Sequence, residues 1–273
     1  MCKVIVVTSG KGGVGKTTST ASLGAALAQT GAKVCVVDFD VGLRNLDLVL
    51  GAERRVVYDF INVAQGDAKL VQALIRDKRV ESLHLLAASQ TRDKDALSIE
   101  GVERVIAELR QSFDYVLCDS PAGIERGALL AMRFADEAIV VTNPEVSSVR
   151  DSDRIIGLLD SKTLRAERGE KMEKRILLTR FNPTRSSRGD MLSVEDVLEI
   201  LSIPLLGIIP EDQEILRASN LGAPVTMGAS ASAAAHAYRE AARRLAGEQS
   251  APVTVPEERK ATFFNRLFSR RAA

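Results

Sequence analysis

The chain of 273 residues has no tryptophan, and aromatic residues make up only 4% of it. Its imidazole and thiolate metal ligands are few: two histidines, His84 and His236, and three cysteines, Cys2, Cys35 and Cys118. The histidines have no neighbours at metal-site spacing, and the cysteines form no C-x-x-C pair. An odd cysteine count, with two of the three inside apolar runs, excludes a disulfide framework and reads as buried free thiols in a reducing compartment. Net charge is only +1, so the body has no global pull toward nucleic acid, and no nucleic-acid partner is expected. No apolar run approaches the roughly 20 residues needed to span a bilayer. A strand-like run occupies positions 3–9, so no signal peptide is expected ahead of the fold. What the chain does have, 45% hydrophobic and 27% charged residues, suits one large globular α/β domain.

The strongest local pattern is Gly10-Lys11-Gly12-Gly13-Val14-Gly15-Lys16-Thr17. It follows the apolar run Val4-Ile5-Val6-Val7 and leads through Thr18 into a helix-like stretch ending near Gln29. Strand, glycine-rich loop and helix are the context that gives G-x-x-x-x-G-K-[ST] its meaning as a P-loop. Glycines let backbone N–H groups curl around phosphate oxygens, and the helix aims the positive end of its dipole at the anion. Lys16 adds a point charge on the β- and γ-phosphates, and the Thr17 hydroxyl suits Mg²⁺. Lys11 is the odd member, because it cannot easily share the place of Lys16. It is either a solvated surface lysine or a group that reaches a phosphate across a dimer interface.

Apolar runs alternate with helix-period segments, which predicts a mostly parallel sheet flanked by helices. Strands are expected at 3–9, 33–38, 83–87, 115–119, 137–142, 176–180 and 205–209. Val102, Val105, Ile106 and Leu109 mark one amphipathic helix, and Val194, Val197, Leu198 and Leu201 another, with Ser193 and Asp196 as its capping box. An Ala-rich helix is expected over 230–247. In an open α/β sheet, ligands sit beyond the carboxyl ends of the strands. Asp38 and Asp40 therefore fall on the P-loop rim, although a lone strand-end aspartate would be an ordinary turn. The run Tyr115-Val116-Leu117-Cys118-Asp119 has the Walker B form, and Asp119 is the expected Mg²⁺ carboxylate opposite Thr17. Gly123 lets the loop after it rearrange around a γ-phosphate. The charged run from Arg150 to Arg154, with Asp151 and Asp153, is either a solvated helix face or a docking surface.

The last stretch changes character. Two prolines and polar residues over 247–256 read as a flexible linker between a 1–246 domain and a 257–273 tail. The tail holds five basic and two acidic residues. Wound as a helix, it places Phe263, Phe264, Leu267 and Phe268 on one face. Such a helix reads as a surface-lying anchor for anionic membrane lipids. A helix docked on its own domain and a calmodulin-like target are the alternatives. One such anchor binds marginally, whereas two on a dimer gain by effective concentration.

The K-G-G-x-G-K-T loop resembles the deviant Walker A family of P-loop ATPases, which includes the Min and Par positioning ATPases, the nitrogenase iron protein and the arsenite-pump ATPase. Further stretches are similar to its division-site branch: D-F-D-V-G-L-R-N-L-D-L, E-R-R-V-V-Y-D-F, S-Q-T-R-D-K-D-A-L, C-D-S-P-A-G-I-E, T-N-P-E-V-S-S-V-R-D-S-D-R and S-R-G-D-M-L-S. The resemblance implies an Mg²⁺-dependent ATPase that dimerises with itself on ATP, with Lys11 supplied in trans. It implies that Asp40 orients the attacking water and Asp38 assists the metal shell. Asn182 on one side, with Pro210, Glu211 and Asp212 on the other, would wall the base pocket. Implied partners are a MinC-like inhibitor and a MinE-like activator, meeting on the 150–154 helix, at the cytoplasmic face of the inner membrane. A Par-type DNA-partitioning ATPase is the main competitor. The near-neutral body and aromatic tail count against it. An iron–sulfur role would need cysteines in loops, and Cys35 and Cys118 fall in strands.

Overall fold

The computed structural model describes residues 2–92, 96–228, 232–248 and 253–255. The expected tail, with Phe263, Phe264, Leu267 and Phe268, lies outside the described residues, as does half of the expected linker.

Eight strands form one sheet: β1 (Lys3–Thr8), β2 (Val34–Asp38), β3 (Ile75–Arg76), β4 (Leu83–Leu86), β5 (Tyr115–Asp119), β6 (Glu137–Thr142), β7 (Glu173–Phe181) and β8 (Leu205–Pro210). Their spatial order is β3-β4-β2-β5-β1-β6-β7-β8. All neighbours run parallel except β3, which pairs antiparallel with β4. This edge strand was not expected, because two residues carry no periodicity to read. β7 starts earlier than expected, at Glu173, because its first residues are polar and only half-buried or exposed.

Side chains alternate across β1 and β2. Val4, Val6, Cys35 and Val37 point to one core, shared with the helix Ile99–Ser112. Ile5, Val7, Val34 and Val36 point to the other, shared with the helices Lys16–Gln29 and Ala233–Leu245. The Ser193–Asp196 capping box stands where the sequence places it, and Ser98 adds a cap that was not expected. Ser98 accepts from Gly101 N, and Ser193 and Asp196 exchange side-chain bonds with each other's backbone N–H.

The helix Lys16–Gln29 is buried on nearly every side, which explains its small residues. A Cβ at Gly24 would meet Val36 Cγ1 at 2.6 Å, so glycine sets how closely this helix lies on the sheet. On its other side the Tyr238 hydroxyl lies 3.0 Å from Ser19 Oγ. Further along, Gly51 and Gly222 touch backbone to backbone; a Cβ at Gly51 would stand 2.7 Å from Gly222 O. Arg79 bridges the same two segments, donating to Leu50 O and Gly222 O at 2.9 Å each. Val253, inside the expected linker, is partly buried against the cluster that includes Ile176, Leu178 and Ile208.

Candidate nucleotide site

Beyond Thr8, the chain leaves the sheet and turns through the glycine loop. Gly13 and Gly15 have φ of +76° and +96°, in the left-handed region that glycine enters without a steric penalty. Gly15 stands immediately before the helix Lys16–Gln29, so the first N–H groups of that helix face the loop's interior. Lys16 is 8% exposed, and its Nζ donates to Ser9 Oγ at 2.9 Å. Burial pulls its pKa down, while Asp119 and Asp40 oppose that pull. Gly10 is held for a different reason. A Cβ there would lie 2.3 Å from Asp151 O, so the loop's first glycine sits directly on the backbone of the helix Val146–Leu159.

The carboxylates converge from neighbouring strands. Asp38 ends β2 and Asp119 ends β5, and the two are register partners. Asp38 is fully buried and Asp119 is 2% exposed. Asp38 accepts from Asp40 N at 2.8 Å and from Leu46 N at 3.2 Å. Burial, with Asp119 beside it, nevertheless pushes the Asp38 carboxyl well above the ordinary range. Burial also pushes Asp119 up, to about 6, against hydrogen bonds from Thr17 and Thr20 and the nearby charge of Lys16. Thr20 Oγ1 donates to Asp119 Oδ1 at 3.1 Å. Two desolvated, like-charged carboxyls facing one rim form an oxygen-rich site that is short of positive charge.

A cavity of about 570 Å³ opens over this rim. Gly12, Gly13, Gly15, Lys16, Thr17 and Thr18 line one side of it, and Asp40 the other. Asp38 and Asp119 are not among the lining residues; Asp119 reaches the cradle through its hydrogen bond from Thr17. Lys11 stands apart from the cradle. Its Nζ donates to Glu145 Oε2 at 2.8 Å and Ser147 Oγ at 3.1 Å, two residues at the start of the helix Val146–Leu159. That pairing, led by the Lys11 hydrogen bond, holds the Glu145 carboxyl below its ordinary range.

Asn182 and Glu211 also meet, but on each other. Asn182 Nδ2 donates to Glu211 Oε2 at 3.0 Å, while its Oδ1 caps a short helix by accepting from Arg185 N at 3.2 Å. The edge expected to read a base is thus engaged within the chain. Asp212 caps the helix Gln213–Asn220 and accepts from Ser232 at 2.7 Å. Pro210 ends β8 beside them. Asp153 is exposed and Asp151 half-buried on the helix Val146–Leu159, whose inner face buries Val149, Ile155 and Leu159. Arg180 is a cavity-lining residue that the motif reading passed over.

Strand, glycine cradle, buried lysine and paired rim carboxylates define a P-loop nucleotide-binding domain. The family model for the CobQ/CobB/MinD/ParA nucleotide binding domain matches residues 5–225. The septum site-determining protein MinD of Escherichia coli K12 is 63% identical over 270 residues, 98% of this chain and 99% of that protein. Among solved structures, the MinC:MinD cell division protein complex of Aquifex aeolicus matches with a TM-score of 0.83 and 44% identity, covering 93% of this chain and 99% of that one. The septum site-determining protein MinD complexed with Mg-ADP from Pyrococcus horikoshii matches at 0.79 and 34% identity, covering 90% and 96%. The chain belongs to the MinD family of septum site-determining proteins, within the wider MinD/ParA class.

Proposed function

We propose that this protein is a dimerising ATPase that works as a membrane switch in placing the division site. In this reading, residues 1–246 bind and hydrolyse ATP, 247–256 are the linker, and 257–273 lie on anionic lipid. ATP brings two copies together across their nucleotides and so puts two tails on one particle. The bound dimer recruits a MinC-like inhibitor at the cytoplasmic face of the inner membrane, and a MinE-like activator triggers hydrolysis and release. The similarity to a protein solved in complex with MinC supports the first partner. The helix carrying Asp151 and Asp153 presents an outward charged face for such docking.

The observation that carries the reading is Lys11. It is a second P-loop lysine, 40% exposed, held at the cavity's mouth by Glu145 and Ser147 rather than inside the cradle. A cation so placed can serve a nucleotide on a facing copy. Leu43, which lines the cavity, and Ile124 and Val146, which adjoin Glu125 and Glu145 in the chain, are exposed apolar side chains that suit burial against a second copy.

Within one subunit the loop amides and the helix N-terminus hold the phosphates, and Lys16 neutralises them. Asp40, which lines the cavity, orients the attacking water. Thr17, Asp38 and Asp119 would be the oxygen donors for Mg²⁺. The fit is chemical: Mg²⁺ takes one or two carboxylates, waters and substrate phosphates rather than an all-protein cage. Among the described residues there is no cluster of three or more His, Cys, Asp or Glu that would make such a cage. When bound, Mg²⁺ supplies the positive charge that this buried carboxylate pair lacks. No described helix is long and apolar enough to cross a membrane; in this reading the 257–273 tail provides the attachment.

Sedimentation with anionic liposomes tests the switch, using the full chain and a chain ending at Pro256, with ATP and with ADP. Binding should need both ATP and the tail. Lipid binding indifferent to nucleotide, or ATP-dependent binding to DNA instead, would refute the reading.

A further inference from the structure

β7 and β8 do not pair evenly. Leu178 faces Ile208 and Phe181 faces Pro210, so Thr179 and Arg180 together stand against one residue, Ile209. This is a β-bulge, a device that re-aims a side chain next to a site. Inside it Arg180 has φ of +54°, one of three non-glycine residues with positive φ among those described. Residues with a Cβ hold that conformation only where their surroundings enforce it. The enforcement is visible: the Thr179 hydroxyl is pinned 2.7 Å from Val14 O, on the P-loop, and Phe181 is buried.

Arg180, in this bulge, lines the nucleotide cavity, as do Gly12, Gly13 and Lys16. Its guanidinium also lies near enough to Glu145 to help keep that carboxylate ionised. Arg180 is exposed, so core packing gives no reason for an arginine there. A planar fork of N–H donors matches phosphate oxygens in pairs, which an ammonium does not.

We propose that Arg180 is a nucleotide-binding residue that clamps the phosphate oxygens of the bound nucleotide, and that the bulge at Thr179–Arg180 serves to aim it. The proposal rests on the ATP-binding reading given above.

The test is titration of Mg-ATP and Mg-ADP into the full chain and its Arg180→Lys, Arg180→Gln and Arg180→Gly variants, at low and moderate salt. Unfolding of the nucleotide-free proteins is followed in parallel. The Gln and Gly variants should bind both nucleotides roughly 10- to 100-fold more weakly, the range for losing a charge-assisted hydrogen bond. Lys should retain part of the affinity, and the salt dependence should fall in Gln. Nucleotide-free Tm should not drop in Gly, which suits a positive φ. Wild-type-like affinity in the variants, while the wild type binds well, overturns the proposal. Affinity kept by Gln but lost by Lys, with unchanged salt dependence, means stacking on the base and also overturns it. A Tm lowered by more than about 4 °C in both Gln and Gly would mark the side chain as structural, again against the proposal. A wild type that binds neither nucleotide would instead bring down the ATP-binding reading itself.

Discussion

Asp119→Asn should make the nucleotide-free protein more stable. Asp119 is buried beside Asp38, and its carboxyl is pushed up to about 6. An unfolded aspartate titrates near ~3.9. Between those values the folded state holds more protons than the unfolded state, so wild-type stability falls as pH rises through the window. Above about pH 6.5 the full difference is felt. A gap of about two units, at ~1.36 kcal/mol each, is worth roughly 3 kcal/mol. Asparagine keeps the shape and never ionises, so it escapes that penalty. For a chain of this size the gain corresponds to a Tm higher by roughly 6–12 °C. The assay is thermal unfolding in EDTA from pH 4.5 to 8. The advantage of the variant should be large at pH 7.5 and shrink toward the acid end. With Mg-ATP at ~100-fold above Kd the gap should nearly close, since the ligand stabilises the wild type by about 2.7 kcal/mol and the variant loses that binding; at ~1,000-fold, worth about 4.1 kcal/mol, the order should invert. A variant no more stable than wild type at pH 7.5 in EDTA, or an advantage that does not depend on pH, would refute the reasoning.

Two further outcomes follow from the P-loop contacts. Lys11→Ala should leave nucleotide affinity within about twofold while removing ATP-dependent dimerisation, read by sedimentation velocity, together with hydrolysis; an unaffected ATPase rate would show that Lys11 serves only its own Glu145 and Ser147. Gly10→Ala should cost about 1–3 kcal/mol in denaturant unfolding, because a Cβ 2.3 Å from Asp151 O forces the loop and the helix Val146–Leu159 apart; unchanged stability would mean that the contact yields freely.

What could be read from the sequence was what is written locally. The P-loop declares itself because its chemistry needs fixed residue types within eight consecutive positions. The strand ends at Asp38 and Asp119 were visible as apolar runs closing on an acid. Their pairing was not, because register is settled by the sheet and not by either run. Lys11 looked solitary because its partners stand 134 and 136 positions away. Asn182 looked like a free amide edge because Glu211, which occupies its amide, lies 29 positions away, although Asn before Pro is itself a helix-start signal. Arg180 escaped notice for a similar reason. A charged residue near the end of a strand is ordinarily solvated, and a bulge leaves no periodic trace.

The contact between Gly51 and Gly222 bears on the entropy of binding. Gly51 closes the short helix Leu46–Val49 that follows Asp40, and Gly222 closes the helix after Asp212. Backbone contact, reinforced by Arg79, joins these two segments before any ligand arrives. In the proposed site, with Asp40 before one segment and Asp212 before the other, a nucleotide would meet a single braced frame, not two separately wandering loops. The disorder that would otherwise be lost twice on binding has already been lost once, in folding.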